Sequence, residues 1–449
     1  MDKKWSVKEI CEKIWEIEEE EKLFEISIDN IFVWELIRME VYYEITKKLG
    51  VFGTPHAEKM SKIEKIKYWL ILLKDAILNN PYLYSDNADY LIYDHQRKVK
   101  KEKKYVDIYT DYFLKNLKNK FLIIEDPVDG KHLSSRENNI KFNDLIFIIS
   151  GIIYKLMPIK ENKSFQNIFG KLKSLEKAFK IDLNLEKYLE KKIKKHKVKY
   201  FLYKKLMKKL NVKKVFVVVS YCKIDFIRAA KDLGIQVNEF QHGTISKYHL
   251  GYSYPYNSLE LKYFPDKFYS FGKYWNNFLP STKLEIENYG FRHFRETKLK
   301  EKDKKKNQIL FISQGVIGEK LSEMAIEVAK KLKGYKIIYK LHPSEYNRWN
   351  KYQNLYKNKD LSNLEIIDNN NKNLYELFNE SEYQVGVFST AIYEGLAYSC
   401  KTLLYDLPGI EYMKDLIDDN YCYKFSNIDE FILNLEKGFN KKVDPNDFF

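Results

Sequence analysis

Val215-Phe216-Val217-Val218-Val219-Ser220, a helical stretch over 225–233 closed by Gly234, and Ile235-Gln236-Val237-Asn238-Glu239-Phe240 read as strand, helix and strand. Both apolar runs are short and uninterrupted, and the first is nearly all β-branched. That is the composition of strands buried on both faces. Strand, helix and strand in this order make a βαβ unit and a parallel sheet. The second strand delivers Gln241-His242-Gly243-Thr244-Ile245-Ser246-Lys247-Tyr248-His249-Leu250-Gly251-Tyr252, which holds two of the chain's eight histidines. Ligands of open parallel sheets sit beyond the carboxyl ends of the strands, so this loop is where chemistry is expected.

Working outward from it, Ala88–Tyr93, Tyr105–Tyr109 and Phe121–Ile124 read as earlier strands, and Lys267–Phe271 as a later one. Helical spacing marks Trp5–Phe24, Ile31–Leu49, Lys62–Leu78 and residues 140–210. The charged stretch 298–307 lacks turn residues and reads as a linker between two domains. A second α/β set follows it. Its strands are Gln308–Ile312, Tyr335–Leu341, Leu364–Ile367, Tyr383–Phe388 and Thr402–Tyr405, with helices over 319–332, 374–379 and 391–398. The expected architecture is α/β: two doubly wound, Rossmann-like domains facing across a cleft. Residues 1–297 form the first, with a helical extension over 1–80. Residues 308–449 form the second and carry the C-terminal helices.

At 449 residues the chain exceeds one ordinary core. Hydrophobic residues at 45% and aromatics at 16% place it among globular chains rather than disordered ones. The net charge of +15 is spread along the chain, with dense runs at 187–214 and 298–306. A solvated lysine-rich surface accounts for it, and attraction to an anionic membrane surface is the other reading. No zinc spacing, helix-turn-helix or RNA-binding aromatic signature stands out, so nucleic acid is not an expected partner. Cys11, Cys222, Cys400 and Cys422 show no paired spacing, which fits a reducing compartment. The N-terminus lacks the apolar core of a signal peptide. The longest apolar run, Leu145–Tyr154, is too short to span a bilayer. A cytoplasmic protein, free or peripheral on the inner face of the membrane, is the expectation.

Four loops of the second domain carry polar groups at strand ends. Gln314 and Gly315 lie in a glycine-containing loop before a helix. His342 follows a strand in Leu341-His342-Pro343. Ser389 and Thr390 stand at a strand-to-helix junction, and Glu394 lies one turn inside that helix. A helix N-terminus with hydroxyls and free N–H groups suits phosphate. The histidine can donate to a phosphate oxygen, and the glutamate can accept from ribose hydroxyls. Each feature alone also has a plain structural reading, as an N-cap, a turn or a solvated residue. In the first domain, a neutral His242 suits a general base acting on a hydroxyl. Glu239 is the candidate orienting carboxylate, and His249 and Lys247 are candidate acceptor contacts. The chain has no Asp-x-Asp, P-loop, G-x-G-x-x-G or G-x-S-x-G element. The expectation is a reaction with no metal or organic cofactor, with cationic, histidine and helix-dipole groups stabilising the leaving group.

Gln241-His242-Gly243-Thr244, Lys340-Leu341-His342-Pro343, Phe388-Ser389-Thr390 and Glu394 together resemble bacterial GT-B glycosyltransferases of surface polysaccharide synthesis, capsule and O-antigen among them. The His-Gly-Thr element resembles that of CDP-glycerol glycerophosphotransferases, where the histidine is assigned as a general base. The His-Pro element and the serine-rich turn resemble those with which bacterial sialyl- and polysialyltransferases hold the nucleotide phosphate. The resemblance covers roughly residues 210–410. It departs at Gln241, where the teichoic acid enzymes usually carry Trp. It departs also at the acidic Asp/Glu-Asp/Glu-Gly motif of several sialyltransferases, of which Val128-Asp129-Gly130 is at best a fragment. The donor stays open between a CMP-sugar, CDP-glycerol and a UDP-sugar.

The resemblance implies an inverting, metal-independent transferase, with the nucleotide-sugar donor on the second domain and an oligosaccharide or lipid-linked acceptor on the first. The alternatives are a nucleotide-sugar epimerase of the same fold, or a non-catalytic membrane-associated assembly factor with Tyr188–Lys214 as its membrane face.

Overall fold

A computed structural model describes residues 4–52, 61–101, 104–127, 131–134, 137–158, 163–256, 259–280, 283–298, 305–438 and 444–449. Seven parallel strands form the first sheet: β1 (Tyr90–Tyr93), β2 (Phe121–Glu125), β3 (Ile140–Phe142), β4 (Lys214–Val218), β5 (Gln236–Phe240), β6 (Lys267–Ser270) and β7 (Glu285–Asn288). Their order is β7-β6-β5-β4-β1-β2-β3. Six parallel strands form the second: β8 (Lys305–Ile312), β9 (Lys336–Lys340), β10 (Leu364–Ile367), β11 (Ser381–Gly386), β12 (Lys401–Tyr405) and β13 (Tyr423–Phe425). Their order is β10-β9-β8-β11-β12-β13.

Both sheets therefore start in the middle, grow to one edge, and return to grow to the other. The reversal falls between β1 and β4 in the first and between β8 and β11 in the second, and these are the places where doubly wound sheets bind ligands. Two such Rossmann-like halves make the GT-B fold.

The strands are buried on both faces, as their composition requires. In β4, Val215 and Val217 join the core under the N-terminal helices, while Phe216 joins another apolar cluster on the opposite face. That second cluster is shared. Phe240, Phe268 and Trp275 of the first half pack in it with Ile312, Ile392, Tyr393 and Leu404 of the second. The two halves are held against each other by apolar burial.

The N-terminal helices are more than an extension of the first half. Helix α1 (Val7–Glu20) opens with a capping box in which Ser6 and Glu9 satisfy each other's backbone N–H groups. Val7 N then donates to Glu411 Oε1 of the second half at 3.0 Å. Tyr42, on α2 (Val33–Lys48), meets Tyr412 hydroxyl to hydroxyl at 2.6 Å. The C-terminus crosses the other way. Trp275 Nε1 donates to Phe448 O at 2.7 Å, and Arg295 Nη2 to Phe449 O at 2.6 Å, so the final helix Pro445–Phe448 rests on the first half. Of the expected C-terminal helices, this last one touches both halves, while Ile428–Glu436 packs in the second through Ile428 and Phe431.

Other elements depart from expectation. Lys104–Asp107 is no strand of the main sheet. It pairs antiparallel with Lys98–Lys101, in a hairpin inserted after β1. β3, β7 and β13 are short edge strands; β3 replaces the start of the helical stretch expected over 140–210, and β7 and β13 had no expected counterpart. Lys305 to Asn307, expected in the linker, already belong to β8. Residues 299–304 and Val128-Asp129-Gly130 lie outside the described residues. Tyr188–Lys214 is not a free amphipathic face. Leu189, Ile193, Tyr203 and Leu206 of its helix are buried in the core of the first half.

Candidate active site

The second half contributes a wall of short loops. Glu345, fully buried, ties two of them together. Its Oε2 accepts from His342 N at 2.7 Å, and its Oε1 accepts from Ser313 Oγ at 3.0 Å and from the Tyr352 hydroxyl at 2.9 Å. Only glycine fits at 318, because a Cβ there would lie 1.8 Å from Glu345 Oε1. His342 Nδ1 accepts from Ser344 N at 3.2 Å, so the neutral ring carries its proton on Nε2. Burial, with Arg97 among nearby cations, holds this imidazole below its ordinary pKa. His342 thus offers an N–H to the crevice. Gln314 Oε1 accepts from Phe388 N at 3.1 Å and joins the loop after β8 to the loop after β11. Gly315 O accepts from Arg348 Nη2 at 2.5 Å. Ser389 caps α9 (Thr390–Ala397), its Oγ accepting from Ala391 N at 3.2 Å.

The first half contributes a box of imidazoles and phenols. His242 follows β5 and is only partly exposed. Its carbonyl accepts from the Tyr109 hydroxyl at 2.8 Å, and its Nδ1 lies 3.3 Å from the Tyr252 hydroxyl. Tyr252 donates in turn to Glu239 Oε1 at 2.6 Å, which also accepts from Ser220 N at 2.9 Å. With its own proton given to Glu239, the Tyr252 oxygen accepts from Nδ1–H. The Nε2 lone pair of His242 is then left free. Burial raises the Glu239 carboxyl to about 7, and its Oε2 has no hydrogen-bond partner. Burial, His249, His95 and Arg97 hold His242 well below its ordinary pKa of 6.5, so it is neutral at neutral pH.

The loop that carries His242 is clamped from behind. Arg38 of α2 is buried, pairs with Glu18 at 2.5 Å, and donates to Leu250 O and to Ser253 O. Gln241 is buried as well. Its amide donates to Gly243 O at 2.8 Å and accepts from Phe271 N at 2.7 Å. It braces the turn and faces away from the cleft.

The two halves meet at the loaded ends. Thr244 N donates to Thr390 Oγ1 at 3.1 Å, and a Cβ at Gly243 would lie 3.2 Å from the same oxygen. The His-Gly-Thr turn is thereby docked on the N-terminus of α9. Arg97, beyond β1, stands in the same crevice. Its N donates to His95 Nδ1 at 3.0 Å and its Nη1 to the Tyr109 hydroxyl at 3.3 Å. Its charge lowers the pKa values of His242, His342 and His95, and opposes the rise that burial imposes on Glu394. The hairpin root that holds Arg97 is fastened by Lys98, buried between Asp94 and Glu125.

The structure thus brings His242, His342 and Glu394 into the field of Arg97, seats Thr244 on Thr390 beside the Ser389 cap, and ties Gln314, next to Gly315, to Phe388. Glu239, the candidate orienting carboxylate, reaches His242 through the Tyr252 hydroxyl. His249 is packed against Tyr221 and Tyr252, with ring centroids at 5.6 and 5.1 Å, and burial holds it down to about 4. Its place is behind His242. Lys247 is exposed, its ammonium 5.9 Å from the Tyr248 ring, and it is not among the charges acting on His242. Sequence reading missed Arg97, Tyr109 and Tyr252. A signal for Arg97 existed, since Asp94-His95-Gln96-Arg97 directly follows the first strand of a parallel sheet.

No protein-family model matches this chain, and no curated protein matches it. Among solved structures, it is similar to the UDP-GlcNAc 2-epimerase from Methanocaldococcus jannaschii, over 80% of this chain and 96% of that one, at 11% identity and a TM-score of 0.44. It is similar to MurG from Acinetobacter baumannii over 55% and 69%, at 16% identity and a TM-score of 0.37. It is similar to a UGT transferase from Siraitia grosvenorii, in complex with UDP, over 75% and 85%, at 10% identity and a TM-score of 0.39. At these identities and scores, the fold rests on the strand order of this chain itself.

Proposed function

We propose that this chain is a nucleotide-sugar-dependent glycosyltransferase that works by a single inverting displacement without a metal on the donor. The observation that carries the reading is the docking of His242-Gly243-Thr244 on the N-terminus of α9, with Arg97 and His342 around the same crevice. A base with a free Nε2 lone pair on one side and a cationic, N–H-rich wall on the other is what glycosyl transfer requires. The donor phosphate lies against Arg97, His342 Nε2–H, Ser389 and the loop at Gln314 and Gly315, with Glu394 toward the ribose hydroxyls. His242 Nε2 takes the proton of an acceptor hydroxyl as its oxygen bonds to the anomeric carbon. The bond from that carbon to the phosphate oxygen breaks, and its electron pair leaves with the nucleotide. The acceptor is a growing surface polysaccharide or a lipid-linked chain, and the nucleotide is CMP, CDP or UDP.

A thermal-shift screen against CMP, CDP, UDP, GDP and their sugars identifies the nucleotide, because a ligand of the native state raises its melting temperature. His242→Ala retains that shift and loses transfer by about 10²–10⁴-fold. Near-full turnover of His242→Ala would remove the base assignment. Conversion of a nucleotide sugar with no acceptor present would make the chain an epimerase instead.

A further inference from the structure

Helix α3 (Lys62–Leu78) is almost wholly outside the fold. Leu72, Asp75 and Ala76 are its buried residues, and they face α4 (Asp144–Leu156). Ile63, Ile66, Leu70, Leu73 and Ile77 follow one another at intervals of three and four, so they share one helix face. All are exposed, Ile66 at 62%, Leu70 at 61% and Ile77 at 67%, and Trp69 stands beside them. On α4, against which α3 packs, Ile152, Ile153 and Leu156 are exposed too, as is Phe201 of the next helix in the layer, Leu185–Leu210. Soluble surfaces scatter such residues singly, and a contiguous patch of this kind marks an interaction site.

The chemistry around the patch selects its partner. Lys62, Lys65, Lys67 and Lys74 are exposed on α3 itself. Beside α4 lies a lysine ridge. Lys195 Nζ sits 5.0 Å from the Tyr154 ring and Lys199 Nζ 4.7 Å from the Phe147 ring. Lys191, Lys192, Lys199 and Lys155 crowd the Lys195 ammonium. An aliphatic face with one tryptophan, rimmed by cations on long stems, matches the acyl and headgroup layers of an anionic bilayer. Among the described residues no helix is long and apolar enough to cross a membrane.

We propose that the outer face of α3, with Ile152, Ile153 and Leu156 of α4 and the lysine ridge, docks this protein on an anionic phospholipid bilayer. The helix is fastened to the edge of the first sheet. Asn79, which caps the C-terminal end of α3, accepts through its carbonyl from Phe142 N at 2.9 Å, at the carboxyl end of the edge strand β3. The docking rests on the surface alone and does not depend on the donor or on catalysis.

Co-sedimentation of the full chain with vesicles tests it. Wild type pellets with vesicles of phosphatidylcholine and phosphatidylglycerol at least about tenfold more than with phosphatidylcholine alone, and added salt weakens the binding. The variant Ile66→Ser/Leu70→Ser/Leu73→Ser keeps its melting temperature, because these side chains are exposed, and stays in the supernatant. Lys191→Glu/Lys195→Glu loses the preference for phosphatidylglycerol. A wild type that never pellets, or a triple variant that pellets like wild type, overturns the proposal. So does a concentration-dependent dimer of wild type that the triple variant lacks, since the face would then belong to a second copy.

Discussion

The carboxyl ends of the two sheets are built in opposite ways. In the second half the loops are short, and their polar groups are fixed by neighbours in sequence: Ser389 caps its own helix, and His342 accepts from Ser344 N. In the first half the loops are long, and their shape is imposed from elsewhere in the chain. Arg38 and Glu18 clamp the stretch after His242, and an inserted hairpin delivers Arg97. The short-loop half offers N–H groups and a helix end to an anion. The long-loop half holds three histidines neutral by burial. Local turn chemistry suffices to aim N–H groups beyond strand ends, whereas holding imidazoles neutral takes burial by segments distant in the chain.

Arg38→Met breaks this contrast most severely. It strips a buried carboxylate of its partner, and unfolding free energy should fall by about 3–5 kcal/mol in denaturant melts. If nucleotide affinity of the folded variant falls in parallel, the two halves are not independent. Next is Arg97→Met, which removes the cation shared by both walls. Transfer should drop by about 10²–10³-fold. The base must be neutral, so activity is lost as pH falls through the pKa of His242, which lies well below 6.5 in the wild type. Without Arg97 one lowering influence disappears, and the acidic limb of kcat/KM should move up toward 6.5. An unmoved limb would place Arg97 outside the reach of His242.

His342→Ala should weaken nucleotide binding by about ten- to a hundredfold, as loss of a hydrogen bond to a charged group does. Titration calorimetry reads it, and the pH limb from His242 should stay in place. Tyr252→Phe has the smallest expected effect, a loss of kcat of up to about tenfold. It removes the relay between Glu239 and His242 Nδ1, so a shifted pH profile with unchanged nucleotide affinity separates positioning from mere packing.

Much of the second half was legible because its signals are local. β10 has the bounds that its apolar run prescribes, and Ser389 caps the helix expected there, which starts at Thr390. In the first half, the helices α1 to α3 were legible, as were β1, β2 and the β4-to-β6 series. Residues 105–107 have a strand's composition but pair with their own hairpin partner, because propensity does not name the partner. β3 and β7 are short edge strands that need little apolar surface, so no run marked them. Gln241 gave no hint of its task. Its amide bridges Gly243 O and Phe271 N, which are adjacent only once β5 and β6 have paired.

The sequence by itself determined two parallel sheets and the placement of His242, His342 and Ser389-Thr390 at strand ends. Periodicity, β-branched composition and capping residues act over a few positions, and strand ends are where parallel sheets expose their loops. Tertiary structure decided that these ends face one another, that Arg97 stands among them, and that His242 is mostly covered and neutral. It also left the face of α3 uncovered. Contacts between segments hundreds of residues apart, and the loss of water that they cause, are not written in any local stretch of the chain.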